Sequence, residues 1–258
     1  MEPIAVASEQ PTPDVPPPVA VQPPATAARW RALAQIAVCS GVPTQLLIAQ
    51  LLAIAGVGPF GAGGALNATW VFIVSLVDTA LLIALIVIFL RANGESVREV
   101  LLGRRAGWRE AQIGLLSVVP VLLSAAAVLL AVRYAAPWLH NVPDNPLAGL
   151  LRSPRDAWIF GVVAVVAGGL REELQRAFLL TRFEQHLGGA RVGLVVTSVA
   201  FGLAHVLQGF DAMLATAVLG FIWGSMYLWR RSTIAPIVSH GGFNSLEIVR
   251  YLVIGPGA

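Results

Sequence analysis

Seven apolar windows, at about residues 34–58, 68–91, 112–135, 157–181, 190–208, 211–229 and 232–254, follow one another with short links between them. Each is close to the roughly 20 residues that a helix needs to cross the hydrocarbon core of a bilayer. In that medium every backbone N–H and C=O has to be satisfied within its own segment, and a run of helices does this. The pattern predicts an all-α polytopic transmembrane helix bundle of about seven spans, six to eight if one segment is tilted or re-entrant. The links leave no room for a separate soluble domain, so residues 28–258 read as one transmembrane domain. Composition agrees: 57% of the chain is hydrophobic and 12% charged, against roughly a quarter charged in soluble domains.

Residues 1–27 differ in kind. They hold eight of the 17 prolines and almost no large apolar residue, which predicts a disordered or polyproline-like tail. They lack the basic start and apolar core of a cleavable signal peptide. The net charge is +3 and every basic side chain is Arg. These arginines gather in alternate links: Arg29 and Arg31 before the first window, Arg98, Arg104, Arg105 and Arg109 after the second, Arg182 and Arg191 around the fourth link, Arg230 and Arg231 after the sixth. The intervening links, 61–67, 135–156 and 208–211, carry fewer, with Arg152 and Arg155 as exceptions. Membrane topology therefore explains the basic character, with the N-terminus cytoplasmic, and no nucleic-acid partner is expected. The single cysteine, Cys39, excludes an intramolecular disulfide and a Cys-rich zinc site.

Several side chains do not belong in lipid. The fourth window contains Arg171, Glu172, Glu173, Gln175 and Arg176 between apolar runs at 159–170 and 178–180. Ionised residues at a helix centre cost roughly 2.5–3.5 kcal/mol each, so this group has to face protein or water, or lie near an interface. Glu172 and Arg176 are four apart and share a helix face, which allows an ion pair; the plainer alternative is a helix end with snorkelling arginines. Phe201 and His205 are four apart in the fifth window, and His240 and Asn244 four apart in the seventh, so each pair projects from one face toward a possible common point. Two His, an Asn and a Glu on three helices look like a site, and zinc suits imidazole and carboxylate donors. A Glu beside a zinc-bound water could take its proton, which predicts peptide-bond hydrolysis inside the bilayer. Asp78 in the second window needs a partner as well, and reads equally as a functional carboxylate or as a polar contact between helices. His140 and His186 read as solvated loop residues. Trp70, Trp108, Trp138, Trp158 and Trp229 fall near span ends and read as interfacial anchors; Gly161, Gly168 and Gly169 read as close-packing positions.

The order of these elements resembles the CPBP family of intramembrane metalloproteases, which includes CAAX-processing endopeptidases and bacterial bacteriocin-processing or immunity proteins. The family carries Glu-Glu-x-x-x-Arg, Phe-x-x-x-His and His-x-x-x-Asn (or Asp) on successive membrane helices. Here the second and third elements are complete as Phe201/His205 and His240/Asn244, and the resemblance covers about residues 155–250. The first element departs from the pattern. Aligning on Arg176, with Ala177 and Phe178 after it, puts Glu172 on the second Glu and Arg171 on the first, which the family uses to activate water. Arg stays protonated and cannot act as a base. Either Glu172 or Glu173 takes that role through a small rotation of the helix, or the chain keeps a structural or binding role only.

The resemblance implies a zinc-dependent intramembrane endopeptidase. Glu172, Glu173 and Arg176 would be catalytic, and His205, His240 and Asn244 would provide or position metal ligands. It would act in a bacterial inner membrane, among membrane lipid, on a peptide or prenylated-protein-like substrate, through a site opening toward the cytoplasm. The rival expectation is a catalytically altered relative that acts as a membrane binding, immunity or chaperone-like protein. A proton-coupled transporter is a third, disfavoured by the lack of clear repetition between the two halves of the chain.

Overall fold

A computed structural model describes residues 26–61, 64–143, 145–151 and 153–254. Residues 1–25 of the expected Pro-rich tail, and Arg152, lie outside the described residues. The described chain is an all-α bundle of helices α1 (Thr26–Val38), α2 (Val42–Ile54), α3 (Ala68–Ala92), α4 (Gly107–Ala135), α5 (Pro154–Val163), α6 (Glu172–His186), α7 (Ala190–Leu203), α8 (Phe210–Arg230) and α9 (Ile234–Ile254). A π-helical segment, Ala164–Arg171, joins α5 to α6 without a break.

The elements begin and end where the residue chemistry says they should. Asn67 caps α3 by accepting from the backbone N–H groups of Thr69 and Trp70, and Ser153 caps α5, with Pro154 at its first turn. The first apolar window is two helices rather than one. Gly41, at φ +87°, turns the chain in a conformation that side chains disfavour, and Pro43 follows in the first turn of α2. The windows at 68–91, 112–135 and 211–229 fall within α3, α4 and α8, the window at 232–254 starts two residues before α9, and the window at 157–181 lies inside the continuous run from α5 to α6.

Among the described residues, four helical stretches are long and apolar enough to cross a membrane: Thr26–Ile54, Ala68–Ala92, Arg98–Ala135 and Phe210–Arg230. The α5–α6 run has the length but carries the charged cluster. The fifth window yields only the 14 residues of α7, about 21 Å of helix against a core of about 30 Å. The outer surface is apolar: Leu115, Leu116, Val119, Leu123 and Leu130 of α4 are all exposed, as suits contact with acyl chains. Trp108, Trp138, Trp158 and Trp229 are exposed near helix ends, as interfacial anchors would be.

Contacts between elements fix the topology. Gln35 donates to Asn93, Arg182 pairs with Glu95, Arg231 with Glu184, Arg230 with Glu110, and the Thr233 hydroxyl reaches the Leu101 carbonyl. These gather the last turn of α1, the ends of α3, α6 and α8, and the starts of α4 and α9 at one end of the bundle. That end holds the arginine-rich links. At the other end His140 meets Asp211, and Asn141 accepts from the Phe210 N–H. α9 packs against α4, against the π-helical segment and against α8. The approach to the π-helical segment is close, because Gly169 lies against Gly241: a Cβ at Gly169 would come within 3.0 Å of the Gly241 Cα.

Candidate active site

The charged cluster of the fourth window meets α7, α8 and α9 in the interior of the bundle. Glu173 is 1% exposed and Arg176 4%. Arg176 donates to the Glu173 carboxylate, three residues away, rather than pairing with Glu172 as their four-residue spacing allowed. Its guanidinium also lies 4.4 Å from the Phe201 ring centroid, a cation–π contact within the same cluster.

His240 is on the other side of Glu173. Its Nδ1 is 2.9 Å from Glu173 Oε1, and because the ion-paired carboxylate only accepts, that nitrogen carries the proton. In the neutral ring Nε2 is then a free acceptor. It faces Glu172 Oε2 at 3.9 Å, too far for a direct hydrogen bond and about the separation that one bridging water spans. Trp223 of α8 lies flat on the His240 ring, centroids 3.8 Å apart at 13°, and donates from Nε1 to Ser239 Oγ at 3.0 Å. Phe201 meets His240 edge-on at 6.0 Å. Ring stacking and the Glu173 bond together fix the plane and tautomer of the imidazole.

Asn244, one turn beyond His240, donates from Nδ2 to the Ala164 carbonyl at 2.9 Å, the first residue of the π-helical segment. Such a segment adds a residue to the turn and frees carbonyls from the usual ladder, and it recurs at functional sites. Gly168, in the same segment, leaves the space that Asn244 fills: a Cβ there would lie 2.6 Å from Asn244 Nδ2 and 3.8 Å from His240 Nε2. Glu173 Oε2 is buried without a hydrogen-bond partner among the described residues, an acceptor still open to a donor.

Of the sequence-derived set, Glu172, Glu173, Arg176, His240 and Asn244 come together. His205 meets them through Phe201: it follows the last residue of α7 closely, its Nδ1 lies 2.8 Å from the Phe201 carbonyl, and its ring packs edge-on at 4.9 Å against the Phe201 ring that also meets His240. Asp78 is fully buried outside the site, where it accepts from Thr44 Oγ1 and Gln45 Nε2 and pairs with Arg171. His140 is partnered rather than solvated, at 2.7 Å from Asp211. His186 ends α6 and lines a cavity of about 380 Å³ at the arginine-rich end with Arg31, Glu95 and Arg182. Trp223 is the residue that sequence reasoning missed. Its signal was a tryptophan in the middle of an apolar window while five others sit near span ends.

As placed, the described residues bring one imidazole, His240, against the two glutamates, with Asn244 one turn beyond it on α9. Among the described residues no group of three His, Cys, Asp or Glu side chains could hold a metal ion. His240 Nε2 and Glu172 Oε2 lie 3.9 Å apart, and the ring of His205, the second imidazole, packs against Phe201. The arrangement can take and return a proton: a carboxylate anchors one edge of an imidazole at Nδ1, and a second carboxylate faces its other nitrogen.

The chain is thus a helical bundle with an apolar surface and a buried Glu–His–Arg cluster. Residues 154–246, just over a third of the chain, match the family model described as "Type II CAAX prenyl endopeptidase Rce1-like", consistent with the CPBP/CAAX protease resemblance of the motifs. The matched region runs from the start of α5 into α9 and includes every residue of the site. No curated protein and no solved structure gives a significant match to the chain.

Proposed function

We propose that the protein is an intramembrane endopeptidase in which the Glu173–His240 pair, together with Glu172, activates a water molecule. The observation that carries this reading is the His240 ring, bound at Nδ1 to Glu173 and facing Glu172 across 3.9 Å with Nε2. A water between Glu172 Oε2 and His240 Nε2 gives its proton to Nε2 as its oxygen attacks the peptide carbonyl carbon. Glu173 stabilises the imidazolium that forms, much as a buried carboxylate does in other carboxylate–imidazole sites. Arg176 pairs with Glu173 and holds it in place. The second N–H of the Asn244 amide can donate to the developing oxyanion. His240 then returns the proton to the leaving amine as the C–N bond breaks.

The substrate in this reading is a peptide or protein segment presented at the membrane, prenylated or not. The arginine-rich end faces the cytoplasm, by the positive-inside rule, and a bacterial inner membrane is the proposed location. The test is cleavage of quenched fluorescent peptides, with and without a C-terminal farnesyl-cysteine motif, by protein in lipid nanodiscs. Cleavage abolished by His240→Ala and by Glu172→Gln supports the reading; wild-type cleavage that survives both removes it.

One observation favours the rival, a membrane binding or immunity protein without hydrolysis. Arg171, at the position of the family's first Glu, turns to Asp78 and supplies no base. Full biological protection retained in Glu172→Gln/Glu173→Gln, with no peptide cleaved by the wild type, would favour that reading.

A further inference from the structure

A second polar cluster lies inside the bundle, on the opposite side of the helix that carries the two glutamates. Asp78, midway along α3 and 0% exposed, accepts from Thr44 Oγ1 at 2.5 Å and Gln45 Nε2 at 3.2 Å. Its charge is matched by Arg171, whose Nη1 is 3.5 Å from Asp78 Oδ2. The same nitrogen donates to Gln175 at 3.2 Å, and Gln175 Nε2 donates to the Cys39 carbonyl at 2.7 Å, at the break between α1 and α2. Gly41 makes room for the guanidinium: a Cβ there would already be 3.4 Å from Arg171 Nη1. An Asp and an Arg left unpaired at this depth would each cost several kcal/mol, so the pair holds the elements that carry it together.

Helical geometry connects this cluster to the chemistry. Successive residues of a helix differ by about 100°, so Glu173 points about 200° away from Arg171. The helix is gripped from both sides, by Asp78 at Arg171 and by His240 at Glu173. Arg171 is also the last residue of the π-helical segment, where the turn is widened and the backbone ladder does least to fix the phase of α6.

We propose that Asp78 and Arg171 are positioning residues: their ion pair sets the rotation of the helix at the π-to-α junction, so that Glu172 and Glu173 both meet His240. α1–α3 lie outside the matched region 154–246, and through this pair they become part of the catalytic apparatus. Arg171 thus compensates for the displaced glutamates of the first motif rather than marking their loss. The proposal rests on the Glu173–His240 reading of the site.

The test uses the full chain in nanodiscs with 5-fluorotryptophan, the Trp223 resonance being assigned with Trp223→Phe. Because Trp223 lies on the His240 ring, its 19F shift reports the site without any substrate. Asp78→Asn and Arg171→Gln are expected to displace that resonance, and Arg171→Lys, which keeps the charge, to return it toward the wild-type position. With a cleaved peptide, Asp78→Asn is expected to lower kcat on the order of 10²-fold, as small misplacements do, with KM little changed. Where a single variant fails to accumulate, Asp78→Asn/Arg171→Gln removes both charges together and carries the same comparison. An unmoved Trp223 resonance, or unchanged kcat, in folded variants overturns the proposal. A resonance that moves in a chain that cleaves no peptide sustains the positioning role and counts against the endopeptidase reading instead.

Discussion

Trp223 lies on the His240 imidazole at a centroid distance of 3.8 Å, with the two planes within 13° of parallel. Face-to-face contact keeps bulk water off one side of the imidazole and holds its plane while Glu173 holds its edge. Trp223 is 1% exposed, so truncation to Ala would leave a large void and cost about 3–5 kcal/mol. Trp223→Phe keeps most of the volume. It is expected to fold and to lower kcat several-fold, through a looser imidazole and the loss of the Ser239 bond. Melting temperature and kcat, measured side by side, separate the two effects.

The two glutamates should fail in different ways. Glu173→Gln leaves Arg176 as a buried charge without its carboxylate, a loss of about 3–5 kcal/mol by the general behaviour of buried pairs. Glu172, whose side chain is 20% exposed and faces Nε2 at 3.9 Å, supports no such charge. Glu172→Gln should therefore melt close to wild type and lose cleavage, whereas Glu173→Gln should lose both. Thermal unfolding in detergent, together with peptide cleavage, reads the difference. Equal stability of the two variants would show that Glu173 is not the partner of Arg176.

How far the sequence could be read depends on the kind of relation involved. Spans were legible because length and apolar content are local properties; α3, α4 and α8 fall where the windows predicted and are long and apolar enough to cross a membrane. Phe201/His205 and His240/Asn244 were legible as helix faces because a spacing of four needs no knowledge of the neighbours. The partner of Arg176 was not. Choosing between Glu172 and Glu173 requires the phase of the helix relative to α9, and the π-helical turn just upstream shifts that phase without a sequence period to announce it. The pairing of Asp78 with Arg171, and the stacking of Trp223 on His240, join different helices, and no spacing along one chain encodes them. The break in the first span was present as Gly41 and Pro43 inside an apolar run.

Metal dependence can be tested without knowing the substrate. With the His205 ring packed against Phe201 and His240 bonded at Nδ1 to Glu173, wild-type protein is expected to carry less than one zinc per chain. Its cleavage should survive a chelator, and His205→Ala should retain cleavage that His240→Ala loses. Elemental analysis of the purified wild type beside His205→Ala and His240→Ala checks this. One zinc per chain, lost in both variants, would establish the metal site that the resemblance implies.

At the arginine-rich end, outside the apolar windows, Glu184 and Arg231 form a two-point pair with distances of 2.5 and 2.7 Å. The hydrogen bond from Arg231 holds the Glu184 carboxyl below its ordinary range, against a smaller opposing effect of burial. A depressed carboxyl contributes stability that is full above its unfolded value, about pH 4.3, and is lost as pH falls through the lower folded value. Both side chains are more than a third exposed, so solvent screening limits the gain to less than about 1 kcal/mol. The melting temperature of wild type should exceed that of Glu184→Gln slightly at neutral pH. The gap should close on acidification below about pH 4 and shrink with added salt. A gap that widens with acid would contradict the pairing.

Gly168 and Asn244 give the most local check of the site. A Cβ at residue 168 would sit 2.6 Å from Asn244 Nδ2, closer than atoms tolerate, so Gly168→Ala has to push the amide off the Ala164 carbonyl and away from the oxyanion position. Losing one donor to an oxyanion typically costs 10²–10³ in kcat, and Gly168→Ala is expected to approach that loss while KM changes little. Asn244→Ala should show the same loss, and the double variant Gly168→Ala/Asn244→Ala should be no worse than Asn244→Ala alone, because the added methyl then has nothing to displace. Gly161→Ala is the control: its Cβ would meet Ile248 at 3.5 Å, an ordinary contact, and cleavage should be unchanged. Additive losses in the double variant would mean that Gly168 acts through the packing of the π-helical segment on α9 and not through Asn244.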